Sequence, residues 1–120
     1  MSPLTTKQKN SFDENGVLVL PDFFSIKECD SLMSRMSTII DKANDESSTI
    51  FSTIDRTHSQ ENYFLTSGDK IRFFYEQQSK DSTPSELSLN KVGHALHDLD
   101  PVFSDFVRQE KVADLASDIG

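Results

Sequence analysis

A chain of 120 residues with 35% apolar side chains has room for one small domain with a lean core, and that leanness points to faces covered by something else. A formal net charge of −8, with twelve basic residues spread thinly, excludes the basic stripe of a nucleic-acid binder and disfavours an anionic membrane surface. The single cysteine, Cys29, excludes an internal disulfide, and with no apolar run near the length of a membrane span and no signal-peptide core in MSPLTTKQKN, a cytoplasmic protein is expected.

Thr5 and Gln8 have the spacing of a capping box and predict a short helix to about Glu14, closed by Asn15-Gly16. Val17-Leu18-Val19-Leu20, stopped by Pro21, predicts a short buried strand. Ser25 and Glu28 form a second capping box. Behind it Ile26, Cys29, Leu32, Met33, Met36, Ile39, Ile40 and Ala43 recur at spacings of three and four, one apolar stripe along a helix that needs a partner surface. Asn44 to Asn62 is a long polar loop with Ile50, Phe51 and Ile54 as its apolar anchors.

Gly68-Asp69 marks a turn, and Ile71 to Tyr75 a strand rich in aromatic side chains. A second polar loop, Gln77 to Ser88, precedes an extended segment from Leu89 to Ala95. Asp100-Pro101 is a helix start, a carboxylate cap followed by proline in the first turn. Val102, Phe103, Phe106 and Val107 form one helical face and Val112, Leu115, Ala116 and Ile119 another, with a break near Gln109 and a closing cap at Gly120.

Few residues carry recognisable chemistry. His94 and His97 would share one face of a helix, with Asp98 and Asp100 close by, so a metal pair is conceivable. Packing and hydrogen bonding are the favoured roles for both. An iron site of the two-histidine, one-carboxylate type begins with His-x-Asp or His-x-Glu. Gln60, Leu96 and Leu99 follow His58, His94 and His97 at that spacing, so none opens the motif. Cys29, on the stripe, reads as a buried packing residue. Lys70, Arg72 and Lys91 lie in or beside apolar extended segments. Turned inward, each would need an anionic partner, a small dicarboxylate being one; exposure at the surface is favoured for all three.

The opening, with Phe12, Gly16, Val17 to Leu20, Phe23-Phe24-Ser25 and Glu28-Cys29, resembles the phytanoyl-CoA dioxygenase family. Two later blocks are sharper: Tyr63-Phe64-Leu65-Thr66-Ser67-Gly68-Asp69-Lys70-Ile71-Arg72-Phe73-Phe74, and Leu89-Asn90-Lys91-Val92-Gly93-His94-Ala95-Leu96-His97 with Asp100-Pro101-Val102-Phe103 behind it. The likeness runs from Lys7 to Gly120 and is poor from Asp41 to Gln60 and from Gln77 to Ser88.

That resemblance implies a double-stranded β-helix, or jelly-roll, oxygenase that uses Fe(II) and 2-oxoglutarate. The fold class expected is α+β, a mostly helical N-terminal layer with a few short strands, the barrel core being largely absent from the chain. Residues 1–120 would form a partial domain containing the polar loops 44–62 and 77–88. The family's iron ligands and the arginine that pairs with 2-oxoglutarate have no position here. One contact carries over by resemblance, Lys91, as a binder of 2-oxoglutarate. No catalytic residue and no metal ligand is assigned, and neither cofactor is expected to be stably bound by this chain alone. The expected activity is that of an inactive N-terminal fragment of such an oxygenase. The alternatives are a non-catalytic binding or regulatory short form using exposed helical faces, and a small metal binder built on His94 and His97. The expected partner is the small-molecule co-substrate of the whole enzyme, with no nucleic acid and no membrane span.

Overall fold

Reciprocal caps set the first two helices of the computed structural model, which describes residues 3–42, 49–50, 62–75 and 89–120. Helix α1 (Thr6–Asn15) starts at Thr5, whose hydroxyl accepts from the Gln8 N–H while Gln8 Oε1 accepts from the Thr5 N–H at 2.9 Å. It ends at Gly16, where φ is 70°, a left-handed value that glycine adopts without the steric cost of a Cβ. Helix α2 (Ile26–Asp41) repeats the device with Ser25 and Glu28, as the spacing predicts; Ala43 lies outside the described residues.

Between the two helices the sequence expectation fails. Val17 to Leu20 is not a strand. Val17 and Val19 are exposed while Leu18 and Leu20 are half-buried, which is the alternation of an extended chain with one face covered. A strand needs a neighbour to take its backbone hydrogen bonds, and none is supplied among the described residues.

The sheet has three strands in the order β1-β2-β3. β1 (Thr49–Ile50) lies within the first predicted loop and pairs in parallel with β2 (Ile71–Tyr75). β2 pairs antiparallel with β3 (Leu89–His94); both segments are expected to be extended from their sequence, while their pairing is not. Ile71 faces His94, Arg72 faces Gly93 and Phe74 faces Lys91. The register then slips between Phe74 and Tyr75, which pairs with Leu89, so Asn90 is the extra residue of a bulge. A single turn, α3 (Asn62–Leu65), precedes β2. It was not anticipated, four residues being too few for a helical period to show. The rest of the first loop and the whole of Gln77 to Ser88 fall outside the described residues.

After β3 come α4 (Leu96–Leu99), α5 (Pro101–Val107) and α6 (Glu110–Ile119). The break near Gln109 is real: Arg108 closes α5 and Gln109 opens α6. α5 packs on α2 and on the segment before it, where the Phe24 and Phe106 rings are 4.5 Å apart, and α6 returns to the N-terminus, where Asp118 Oδ1 meets Lys9 Nζ at 2.5 Å.

α6 also clamps α2. Lys111 Nζ donates to Glu28 Oε1 at 2.7 Å and to the Phe23 carbonyl at 3.2 Å, and sits 4.4 Å from the centre of the Phe24 ring. Chiefly through the Lys111 hydrogen bond, then through bonds from Ser25, the Glu28 carboxyl is lowered from 4.5 to about 2. A depressed carboxylate stabilises the fold above its unfolded pKa and stops doing so as pH falls through the folded one. Acidification from pH 4.5 towards 2 is therefore expected to loosen the α2–α6 contact, read as a loss of protection of the Glu28 amide against exchange relative to its intrinsic rate. In Lys111→Ala that step should shrink.

Few side chains are fully covered. Among the described residues the buried apolar ones are Leu4, Phe74 and Ala95, and no helix carries a fully buried residue. Cys29 is exposed, not packed. The stripe of α2 is wider than its contact with α5: Leu32 and Met36 are half-covered, whereas Ile26 and Met33 are 80% and 69% exposed and Cys29 lies on their side. No helix among the described residues is long and apolar enough to cross a membrane.

Candidate functional site

The site grows from the facing pair Phe74 and Lys91 on β2 and β3. Phe74 is wholly buried. Around it stand Tyr63 at 5.5 Å and Phe64 at 5.8 Å between ring centres, both from α3, and the His94 imidazole at 5.9 Å. Phe64 meets the His94 ring edge-to-face at 5.7 Å. Lys91 Nζ enters this corner, 5.7 Å from the Phe64 centre and 5.8 Å from that of Phe74. Ring faces carry partial negative charge and attract an ammonium there.

α3 is held in place by Arg72. Its Nη1 donates to the Tyr63 carbonyl and to Thr66 Oγ1, and its guanidinium lies over the Tyr63 ring at 4.5 Å. The turn that follows is tied to the end of β3, since the Lys70 carbonyl accepts from the His94 and Ala95 N–H groups at 2.7 and 2.9 Å. Ser67, fully buried, touches both parts: its hydroxyl lies 2.5 Å from the Phe64 carbonyl oxygen and 2.9 Å from His94 Nδ1. His94 Nε2 in turn stands 2.7 Å from Lys91 Nζ.

The histidines do not act as a pair. His94 ends β3, inside the segment expected to be extended, and faces the aromatic corner, so it does not share a helical face with His97. His97, on α4, is more than half exposed and lies 3.3 Å from Asp98, which also meets Arg108 at 3.1 Å. Asp100 pairs with Arg35 at 2.6 Å. No group of three or more His, Cys, Asp or Glu that could hold a metal ion occurs among the described residues, and His58 lies outside them. Hydrogen bonding, the favoured role for His94, is what it performs.

Lys70 is at the surface beside Asp69, as favoured, but Arg72 and Lys91 are half-buried. Their side chains follow the aromatic rings that share their face of the sheet. Sequence reasoning missed the roles of Ser67, Phe64 and Phe74. The signal for them was the Tyr63–Phe74 block, which reads as one run but folds as turn, loop and strand around a single corner.

The described residues thus form a small mixed sheet flanked by helices, with the Lys91 ammonium set among aromatic rings. A family model described as phytanoyl-CoA dioxygenase (PhyH) matches residues 12–119, and the chain belongs to that family. It is 41% identical to a phytanoyl-CoA dioxygenase of Arabidopsis thaliana, over 98% of this chain and 43% of that protein. It is 40% identical to phytanoyl-CoA dioxygenase domain-containing protein 1 of Bos taurus, over the whole chain and 45% of the relative, and 37% identical to a Dictyostelium discoideum homologue of it, over 98% of this chain and 43% of that one. The chain thus spans less than half the length of these curated relatives.

Proposed function

We propose that this chain is the N-terminal part of an Fe(II)- and 2-oxoglutarate-dependent dioxygenase, that it supplies one wall of the co-substrate site through Lys91, and that it does not turn over 2-oxoglutarate by itself. The observation that carries the reading is the match to the family over residues 12–119, joined to the half-buried position of Lys91 among Phe64, Phe74 and His94.

The two cofactors fare differently against the residues present. An ammonium in an aromatic corner is a good partner for a carboxylate, because the low local dielectric strengthens a charge-assisted hydrogen bond. Lys91 would hold one carboxylate of 2-oxoglutarate. Iron does not fit: the sequence has no His-x-Asp or His-x-Glu, and the described residues have no cluster able to hold a metal. Weak binding of 2-oxoglutarate is expected from this wall alone, and Lys91→Met is expected to abolish it in a titration followed by NMR.

A second reading, a non-catalytic binding or regulatory form, draws support from the uncovered apolar side chains Val17, Val19, Ile26 and Met33. Circular dichroism during a thermal melt separates the two. A broad, shallow transition is expected for part of a larger domain with so few buried side chains. A sharp cooperative one would favour the independent module.

A further inference from the structure

The hydrogen bonds that run from Phe64 to Lys91 have directions fixed by their first member. The Ser67 hydroxyl has one proton. It lies 2.5 Å from the Phe64 carbonyl oxygen, which can only accept, so the proton points there. Towards His94 Nδ1, Ser67 Oγ is then the acceptor, and Nδ1 carries the hydrogen. A neutral imidazole protonated at Nδ1 presents its lone pair at Nε2. Lys91 Nζ, 2.7 Å away, donates to it. A doubly protonated ring would set an N–H against an ammonium at that distance, donor on donor and charge on charge. The arrangement therefore selects one tautomer and one charge state.

We infer that His94 is the positioning residue for Lys91: Ser67 holds it as the neutral Nδ1–H tautomer, and its Nε2 fixes the lysine ammonium in the Phe64–Phe74 corner. This rests on the reading of Lys91 as the 2-oxoglutarate contact for what the ammonium is aimed at. A lysine side chain is flexible, and immobilising it on binding costs affinity. One N–H held in advance by His94 removes part of that cost and sets the direction of the other donors. The backbone cooperates at Gly93, where a Cβ would come within 3.3 Å of Lys91 Cε, so glycine leaves the lysine stem its place beside the strand.

The test is NMR on the labelled chain as wild type and as Ser67→Ala, His94→Phe and His94→Gln, with sheet amides reporting that each variant folds. The wild type should show Nδ1–H and an unprotonated Nε2 at His94, and a ring-current shift at the Lys91 ε-methylene. His94→Phe keeps a ring but has no acceptor and should move the Lys91 signal towards that of a free lysine. His94→Gln offers an amide oxygen and should restore much of the shift. Ser67→Ala should release the tautomer. 2-Oxoglutarate, titrated against sodium acetate as an ionic control, should move the Lys91 signals in the wild type and need at least about fivefold more ligand in His94→Phe, as expected for loss of a bond to a charged group. An Nε2–H tautomer in the wild type, or a Lys91 shift unchanged in His94→Phe, overturns the inference. If the tautomer and the Lys91 shift behave as stated but 2-oxoglutarate moves nothing, the positioning role stands and the assignment of 2-oxoglutarate to Lys91 falls.

Discussion

Phe74→Ala is expected to destabilise the sheet by about 3–5 kcal/mol, the range for truncating a buried aromatic residue. Phe74 is wholly buried and is the common neighbour of Tyr63, Phe64 and His94. Alanine there removes the ring on which α3 and β3 both rest, and a cavity between a one-turn helix and a strand has little backbone to close it. Because the core is thin, the loss is best read locally. Amides of β2 and β3 should exchange about two to four orders of magnitude faster. Phe74→Leu keeps most of the volume and should cost much less, within about 1.5 kcal/mol. Equal exchange in wild type and Phe74→Ala would show that the corner is not the centre of the sheet's packing.

The next largest effect is expected at Asp100. Its side chain is 3% exposed and its two oxygens divide the work. Oδ2 takes the Arg35 guanidinium, with Nε at 2.7 Å and Nη2 at 2.6 Å, and so joins α2 to α5. Oδ1 accepts from the Val102 and Phe103 N–H groups at 3.1 and 3.2 Å and so caps α5. Asp100→Ala removes a cap worth about 1 kcal/mol and leaves the half-buried Arg35 guanidinium without this carboxylate; the sum should be about 2–4 kcal/mol. Arg35 is 30% exposed, so water recovers part of its solvation and the cost stays below that of a fully buried pair. The Arg35 hydrogen bond, ahead of the Phe103 and Val102 N–H groups, holds the Asp100 carboxyl below its ordinary 3.8. The sign follows: the contribution is complete above pH 3.8 and is lost as pH falls through the lower folded value. Asp100→Ala should flatten the acid limb of stability, measured as exchange at Val102 and Phe103 between pH 5 and the acid range.

What could be read from the sequence was local. The boxes at Thr5–Gln8 and Ser25–Glu28 and the Asp100-Pro101 start are written in three or four consecutive residues, and all three fold as their chemistry requires. Val17 to Leu20 has the composition of a strand, but composition cannot supply a neighbour, and the segment stays unpaired among the described residues. His94 and His97 have a helical spacing, yet His94 answers to its ladder with Ile71. Cys29 fits an apolar stripe whose far side nothing among the described residues covers. In the site, Lys91 was marked by resemblance to the family, while its partners were hidden. Ser67 looks like any loop serine, and only the turn at Gly68–Asp69 brings it under β3. The parallel pairing of Thr49 with Phe74 is likewise a contact between distant segments that no local pattern encodes.

On the proposed function, the chain contributes a co-substrate wall and not a complete active centre. Incubating it with Fe(II), ascorbate and 2-oxoglutarate and measuring succinate is the most direct test. No succinate above a control without protein is expected. Iron-dependent succinate that scales with the concentration of this chain would contradict it.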